Sequence, residues 1–481
     1  MLTAFVTTGV LLAGAGYVAA DVYDLAPGIL TLDRPTPLPT PTVSGTPAPV
    51  LLPTPAPTGA DPLLTGAGAD APTPTAAGVE AALTRASRDP DLAGGLGIAV
   101  GDAVTGEELW SLRGGRPRVP ASTLKILSAL AVTDTLDLGA RMTTSVVAVP
   151  GSRDLVLVAR GDALLSPTAG DPEAVLGHAG LDDLAARVVE SLGADASGRY
   201  RLRLDLSWAP GPRYPTTWQP GDVGQFYARP VVMTGLATQL GDENSPPATD
   251  PEQQVADALQ ERLRARGMQV TLRPRSTWSR PAPTTAEELG GVESATYAEV
   301  LDHTLDTSDN TLIENLVRQS VAVAGKPTRP ADANARYIRA RLEAHAVPTT
   351  GLRITDASGL SPGQRATPRT LAAVLALGTT DEVRQMRTAV AGLPVSGLDG
   401  TLAHRFGSAA TKGVAGVPRA KTGTLAAGSG LAGTTVDADG RLLTFVVLAD
   451  GFPRTYDGIV RAREALDRIV AALTRCGCGG G

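Results

Sequence analysis

Apolar positions cluster in short runs at both ends of a long stretch that begins near Ala76. A short helix is expected over Ala77–Ser87, followed by LGIAVGDAVTGEELWSL, two apolar strands about a Thr105-Gly106 turn. That is the pattern of a hairpin. Near the other end, GLAGTTV and RLLTFVVLA flank Asp437-Ala438-Asp439-Gly440, a second hairpin signal. Ile459, Ala462, Leu466, Ile469, Val470 and Leu473 then recur with a helical period, predicting a closing helix with one buried face. Strands early and late, with helices between, predict one sheet assembled from both ends of the body. The middle reads differently. SVVAVPGSRDLVLVAR predicts a hairpin, RYRLRLDLSW alternates apolar and polar residues, and MQVTLRP repeats that pattern. The expectation is a strand-rich domain of residues 142–292 inserted into a first domain made of residues 76–141 and 293–478. The fold class expected is α/β (α+β).

The segment ahead of the body is of another kind. Residues 2–20, LTAFVTTGVLLAGAGYVAA, are uncharged and mostly apolar. They are long enough to span a bilayer as an anchor, and Val18-Ala19-Ala20 also fits the small-residue end of a secretory signal. Either reading places the body outside the cytoplasm, secreted or tethered to a membrane through residues 2–20, although the usual positive flank is missing. Residues 21–75 follow as a linker, and 12 of the 38 prolines fall between positions 35 and 75. Proline removes backbone donors and favours extended polyproline II, so a disordered, semi-rigid spacer is expected.

Composition narrows the function classes. With 43 basic and 49 acidic side chains the formal net charge is −6, which argues against nucleic acid bound through a general basic surface. The two cysteines, Cys476 and Cys478, exclude a disulfide-built fold and a cysteine-rich zinc module. They could close a small disulfide, accept a modification or stay reduced, and no catalytic role is assigned to them. His178, His303, His345 and His404 are scattered without metal-ligand spacing, so neither a metal nor another cofactor is expected. Lysine is scarce: Lys125, Lys326, Lys412 and Lys421 are the only four among the 43 basic residues. Arginine keeps its proton in proteins whereas a buried lysine can lose it, so a lysine that survives such bias invites a chemical reading.

Three short motifs take up two of those lysines. Ser122-Thr123-Leu124-Lys125 enters the apolar run ILSALAV behind Pro120, as at a helix start. Positions three apart share a helix face, so hydroxyl and amine can meet, and a desolvated lysine can take the serine's proton. Ser308-Asp309-Asn310 lies between two helical stretches and offers a hydroxyl for proton relay and an amide for holding a substrate. Lys421-Thr422-Gly423, followed by Thr424, precedes the closing hairpin, where a strand edge can present a cation, a hydroxyl and backbone groups to a peptide-like ligand. Each fragment alone is common as a turn, a cap or a loop. All three in this order form the signature of penicillin-binding proteins and class A β-lactamases.

The chain resembles the class C, low-molecular-mass penicillin-binding proteins of the D-alanyl-D-alanine carboxypeptidase/endopeptidase family over about residues 76–478. Gly161-Asp162-Ala163-Leu164-Leu165-Ser166 is similar to the family's Gly-Asp-Pro-x-Leu-Ser, with alanine for proline. Asp356-Ala357-Ser358-Gly359-Leu360-Ser361, Asp399-Gly400-Thr401-Leu402 and Arg419–Leu425 also read as family segments. The 186-residue step from Ser122 to Ser308 accommodates the family's inserted domain, though it is short for the fullest versions. The resemblance implies the transpeptidase-like fold of penicillin-binding proteins and serine β-lactamases, an antiparallel sheet flanked by helices. It implies peptidoglycan stem peptides as substrate and β-lactams as covalent ligands. Ser122 would be the nucleophile, Lys125 the acylation base and Ser308 the relay to the leaving amine. Asn310 would hold the donor strand's amide, and Lys421 and Thr422 the terminal carboxylate, with Gly423 between them and Thr424. The N–H groups of Ser122 and Thr424 would form an oxyanion hole. In Trp218-Gln219-Pro220-Gly221-Asp222, Asp222 resembles an inserted-domain residue facing the substrate's amino-bearing side chain; a solvated loop aspartate is the alternative. The insertion is expected to recognise substrate without taking part in bond chemistry. A serine β-lactamase and a catalytically weak wall-binding scaffold are the competing readings. The first lacks its Glu-x-x-x-Asn between Asn310 and Lys421, and the intact triple disfavours the second.

Overall fold

A computed structural model describes residues 68, 70–92, 95–241 and 246–479. The expected signal or anchor, residues 2–20, and most of the expected linker lie outside the described residues. Among the described residues, no helix is long and apolar enough to cross a membrane.

Among the described residues, ten strands form two sheets: β1 (Leu96–Asp102), β2 (Glu108–Leu112), β3 (Arg141–Ala148), β4 (Asp154–Val158), β5 (Arg199–Asp205), β6 (Gln269–Leu272), β7 (Glu287–Thr296), β8 (Arg419–Leu425), β9 (Gly428–Val436) and β10 (Leu442–Asp450). The first sheet has the order β2-β1-β10-β9-β8 and is antiparallel throughout. It joins both ends of the body, as the two hairpin patterns predict. All seven residues of β1 are buried, because helices cover both faces. Along β10, Leu443, Phe445 and Val447 enter a core with Ile459, Leu466 and Ile469 of the closing helix, Tyr456–Thr474. Val446 and Leu448 point the other way, against helices Lys125–Thr133 and Pro368–Thr379. The period of two along the strand thus divides the residues between two cores.

The second sheet, β6-β5-β4-β3-β7, is built wholly from residues 141–296, and the first and last residues of that stretch meet where Arg141 pairs with Thr296. The hairpin β3–β4 is antiparallel as expected, but β4–β5 and β5–β6 are parallel. Parallel neighbours need a crossover. Helices Leu181–Leu192 and Pro251–Ala265 supply it, so this region is less purely strand-built than its alternation suggests. Tyr200, Leu202 and Leu204 face those helices, which leaves Arg199 and Arg201 on the open side.

The body's start and end are clasped together. Pro74 bridges Gly479, the Thr75 amide donates to the Cys478 carbonyl, and Cys476 and Cys478 form a disulfide. Arg441 donates to the Ala71 carbonyl beside its buried ion pair with Asp102, so residues 71–75, expected as spacer, run against the body.

Candidate active site

Ser122 lies in a 3₁₀ turn, Ala121–Leu124, and the α-helix begins only at Lys125. In a 3₁₀ turn, side chains at i and i+3 eclipse, which aligns the hydroxyl with the amine more directly than an α-turn would. Lys125 Nζ stands 3.0 Å from Ser122 Oγ. It also donates to Asn310 Oδ1 at 2.6 Å and to the Ser358 carbonyl at 2.8 Å. Lys125 is fully buried, as is every residue of the helix it opens. Burial pulls its pKa down to about 7, against the opposing charges of Asp356, Asp309 and Glu314. An amine that titrates near neutrality can serve as a base.

Asn310 opens helix Asn310–Val323, capped by Asp309, whose carboxylate accepts from the amides of Thr311 and Leu312. Burial pushes the Asp309 pKa up, but the Arg229 guanidinium paired with it holds the group below its ordinary value. Asn310 Nδ2 donates to the Tyr227 carbonyl at 3.0 Å, so the amide that touches the lysine also touches the region between β5 and β6. Ser308 is half-buried, two residues before Asn310, with a left-handed backbone (φ 59°). Ala121, just before the nucleophile, is also left-handed (φ 47°). Such conformations cost non-glycine residues on the order of 1 kcal/mol and persist where surroundings enforce them.

Lys421, Thr422, Gly423 and Thr424 lie on β8, the last strand of its sheet. Residues 394–395 bridge its beginning at Arg419 and Ala420, and among the described residues no strand continues beside Thr422–Leu425. Thr422 Oγ1 donates to Thr401 Oγ1 at 2.9 Å, and the Lys421 amine lies 3.5 Å from Thr422 Oγ1. The strand presses on the nucleophile turn. A Cβ on Gly423 would stand 2.7 Å from the Pro120 carbonyl and 3.0 Å from the Ser122 amide nitrogen. Only glycine permits that approach.

The structure therefore gathers Ser122, Lys125 and Asn310 by direct hydrogen bonds and β8 by backbone packing, with Ser308 held on the turn beside Asn310. Sequence reasoning missed the floor of the site. Asp356, Ser358 and Gly359 sat in a segment noted only for resemblance. Glu314, one turn after Asn310 on the same helix, is buried and accepts from the Ala357 and Ser358 amides at 2.6 and 3.1 Å. Burial and neighbouring Asp356 raise its pKa to about 7. The signal available was the four-residue spacing of Asn310, Glu314 and Arg318, a polar stripe along one face of that helix. Asp222 accepts from the Tyr227 hydroxyl at 3.1 Å, and burial raises its pKa. Tyr227 and Trp218 pack with Leu360 and with Leu425 of β8, forming an apolar wall beside the strand edge. Among the described residues, no group of His, Cys, Asp and Glu is arranged to hold a metal ion. His178 and His345 instead face Arg141 and Asp134.

Comparison with known proteins points the same way. The family model described as D-Ala-D-Ala carboxypeptidase 3 (S13) matches residues 79–245 and 243–473. A carboxypeptidase of Mycobacterium tuberculosis is 34% identical over 413 residues, covering 83% of this chain and 84% of that protein. The D-alanyl-D-alanine carboxypeptidase of an Actinomadura strain is 30% identical over 478 residues, covering 81% and 83%. Among solved structures, penicillin-binding protein 4 of Haemophilus influenzae shares the fold, with TM-score 0.65 and 17% identity over 81% of this chain and 98% of that one.

Proposed function

This chain belongs to the D-Ala-D-Ala carboxypeptidase 3 (S13) family and is a serine-type D-Ala-D-Ala carboxypeptidase, a hydrolase; we propose that it works on peptidoglycan stem peptides through an acyl-enzyme on Ser122. The observation that carries this assignment is the 3.0 Å contact between Ser122 Oγ and the buried amine of Lys125.

The neutral form of Lys125, which burial makes accessible near pH 7, takes the Ser122 hydroxyl proton as Oγ bonds to the carbonyl carbon between the last two D-alanines. The developing oxyanion is met by the N–H groups of Ser122 and Thr424, backbone donors fixed before the reaction begins. When the carbon–nitrogen bond breaks, the proton passes from Lys125 through Ser308 to the departing amine. Lys421 and Thr422 bind the terminal carboxylate, with Gly423 allowing the strand to sit against Ser122. Asn310 holds the stem's amide and orients the lysine. Water then hydrolyses the ester, releasing the shortened stem and restoring Ser122. A β-lactam enters by the same first step and leaves its acyl group on the serine.

Residues 142–292 act as an inserted substrate-reading domain of the catalytic body formed by residues 76–141 and 293–478, with Asp222 meeting a cationic group on the stem. The site of action is outside the cytoplasm, reached through export or tethering by residues 2–20. Labelled penicillin tests the core of this reading. One covalent adduct on the tryptic peptide containing Ser122 is expected, lost in Ser122→Ala. Labelling that persists at full level in that variant would sink the assignment.

A further inference from the structure

The Asp356 carboxylate is buried and surrounded by donors. Its Oδ1 accepts from the Ser358 amide (3.0 Å), the Gly359 amide (2.8 Å) and Gln364 Nε2 (2.7 Å). Its Oδ2 accepts from the Ser361 amide (2.8 Å) and from the Trp218 indole N–H (3.0 Å). The Gly359 N–H belongs to the same peptide unit as the Ser358 carbonyl, and that carbonyl accepts from Lys125 Nζ. A single amide plane thus joins the carboxylate on one edge to the amine on the other. A second unit runs beside it. The Ser358 N–H donates to Glu314 Oε1, and the Ala357 carbonyl of that unit accepts from Ser128 Oγ at 2.6 Å, one turn along the helix from Lys125. Charge at the N–H edge of an amide polarises its carbonyl and strengthens it as an acceptor.

We propose that Trp218 is a positioning residue for acylation: by holding Asp356 Oδ2, its indole N–H sets how strongly the 358–359 peptide grips Lys125. Trp218 lies on the segment between β5 and β6, next to Asp222 and Tyr227, and packs against Leu360 in the wall beside the strand edge. The inserted region therefore reaches the base as well as the substrate, contrary to the expectation that it stands apart from bond chemistry. This inference rests on Lys125 acting as the base of the proposed acyl-enzyme reaction. The charges facing that amine are Asp356, Asp309 and Glu314. Asp309 is paired with Arg229, while Glu314 is bonded to Asn334 and lies near Arg318.

The test is the pH dependence of acylation by a chromogenic cephalosporin, followed by stopped flow from about pH 5 to about pH 9. Trp218→Phe keeps an aromatic ring and removes the N–H. More negative charge then stays on Asp356, Lys125 holds its proton more tightly, and the acid limb moves to higher pH. A shift of roughly half a unit is expected, about threefold slower acylation below the limb with the high-pH plateau unchanged. Glu314→Gln removes the charge that Glu314 carries above its pKa of about 7 and moves the limb the other way. If Trp218→Phe does not fold, benzothienylalanine at position 218 keeps the bicyclic shape without the N–H and is expected to give the same shift. A plateau that falls while the limb stays in place would overturn the proposal and leave Trp218 as packing alone. A limb moving to lower pH without the N–H would overturn it as well. Absence of any adduct on Ser122 of the wild-type protein would instead strike the acyl-enzyme reading, and the relay with it.

Discussion

Lys125 and Asn310, 185 residues apart in the chain, meet in a 2.6 Å hydrogen bond from the lysine amine to the carboxamide oxygen. The other end of that carboxamide is tied to the Tyr227 carbonyl, so Asn310 cannot rotate without breaking one of two bonds. The lysine is thereby aimed at Ser122 by a residue that belongs to another helix.

Lys125→Arg should be nearly as damaging as Lys125→Ala. Arginine keeps the positive charge but cannot accept the serine's proton. Loss of a general base costs roughly a hundredfold or more, which stopped-flow acylation by a β-lactam would register. A near wild-type rate for the arginine variant would mean that Lys125 serves only as a charge.

Wild-type acylation should follow the titration of Lys125. Burial brings its pKa down to about 7, and the neutral form accepts the proton, so the rate should fall as pH drops through that value and level off above it. Rates that stay flat through the neutral range would separate the base from this amine.

Gly423→Ala should impair acylation without touching any polar side chain of the site. Its Cβ would meet the Pro120 carbonyl at 2.7 Å, the Thr123 amide nitrogen at 2.9 Å and the Ser122 amide nitrogen at 3.0 Å. All three are backbone atoms, so β8 must move away from the nucleophile turn. We expect about 1–3 kcal/mol of lost stability, the usual cost of overpacking. Acylation should slow by about tenfold or more as the reacting groups lose their alignment. Thermal unfolding and adduct formation would measure the two effects separately.

Asp222→Ala should discriminate between substrates. A charged contact across a partly wet site contributes about 1–3 kcal/mol, or roughly 5- to 150-fold. kcat/KM for a stem-peptide mimic bearing a free amine should fall by that amount, while acylation by a small penicillin lacking the amine should hardly change. Equal losses on both would make Asp222 a support for Tyr227, whose hydroxyl it accepts, and no specificity contact.

Local chemistry was legible in the chain itself. Ser122 and Lys125 lie three apart, a spacing that joins them in any helical turn, and the 3₁₀ geometry changes only how directly they meet. The two end hairpins follow from turn residues and apolar runs, and the buried face of helix Tyr456–Thr474 follows from its period. The tertiary structure alone decided what stands under the reacting groups. Trp218, Glu314, Asp356 and Lys125 converge from four separate segments, and the bond from Trp218 to Asp356 spans 138 residues. Likewise, alternation along β5 predicts a strand but cannot say that its neighbours run parallel or that helices cross between them. Periodicity and spacing constrain residues within one turn or one strand. Which carboxylate faces which amine depends on how distant segments pack, and no pattern along the chain records that.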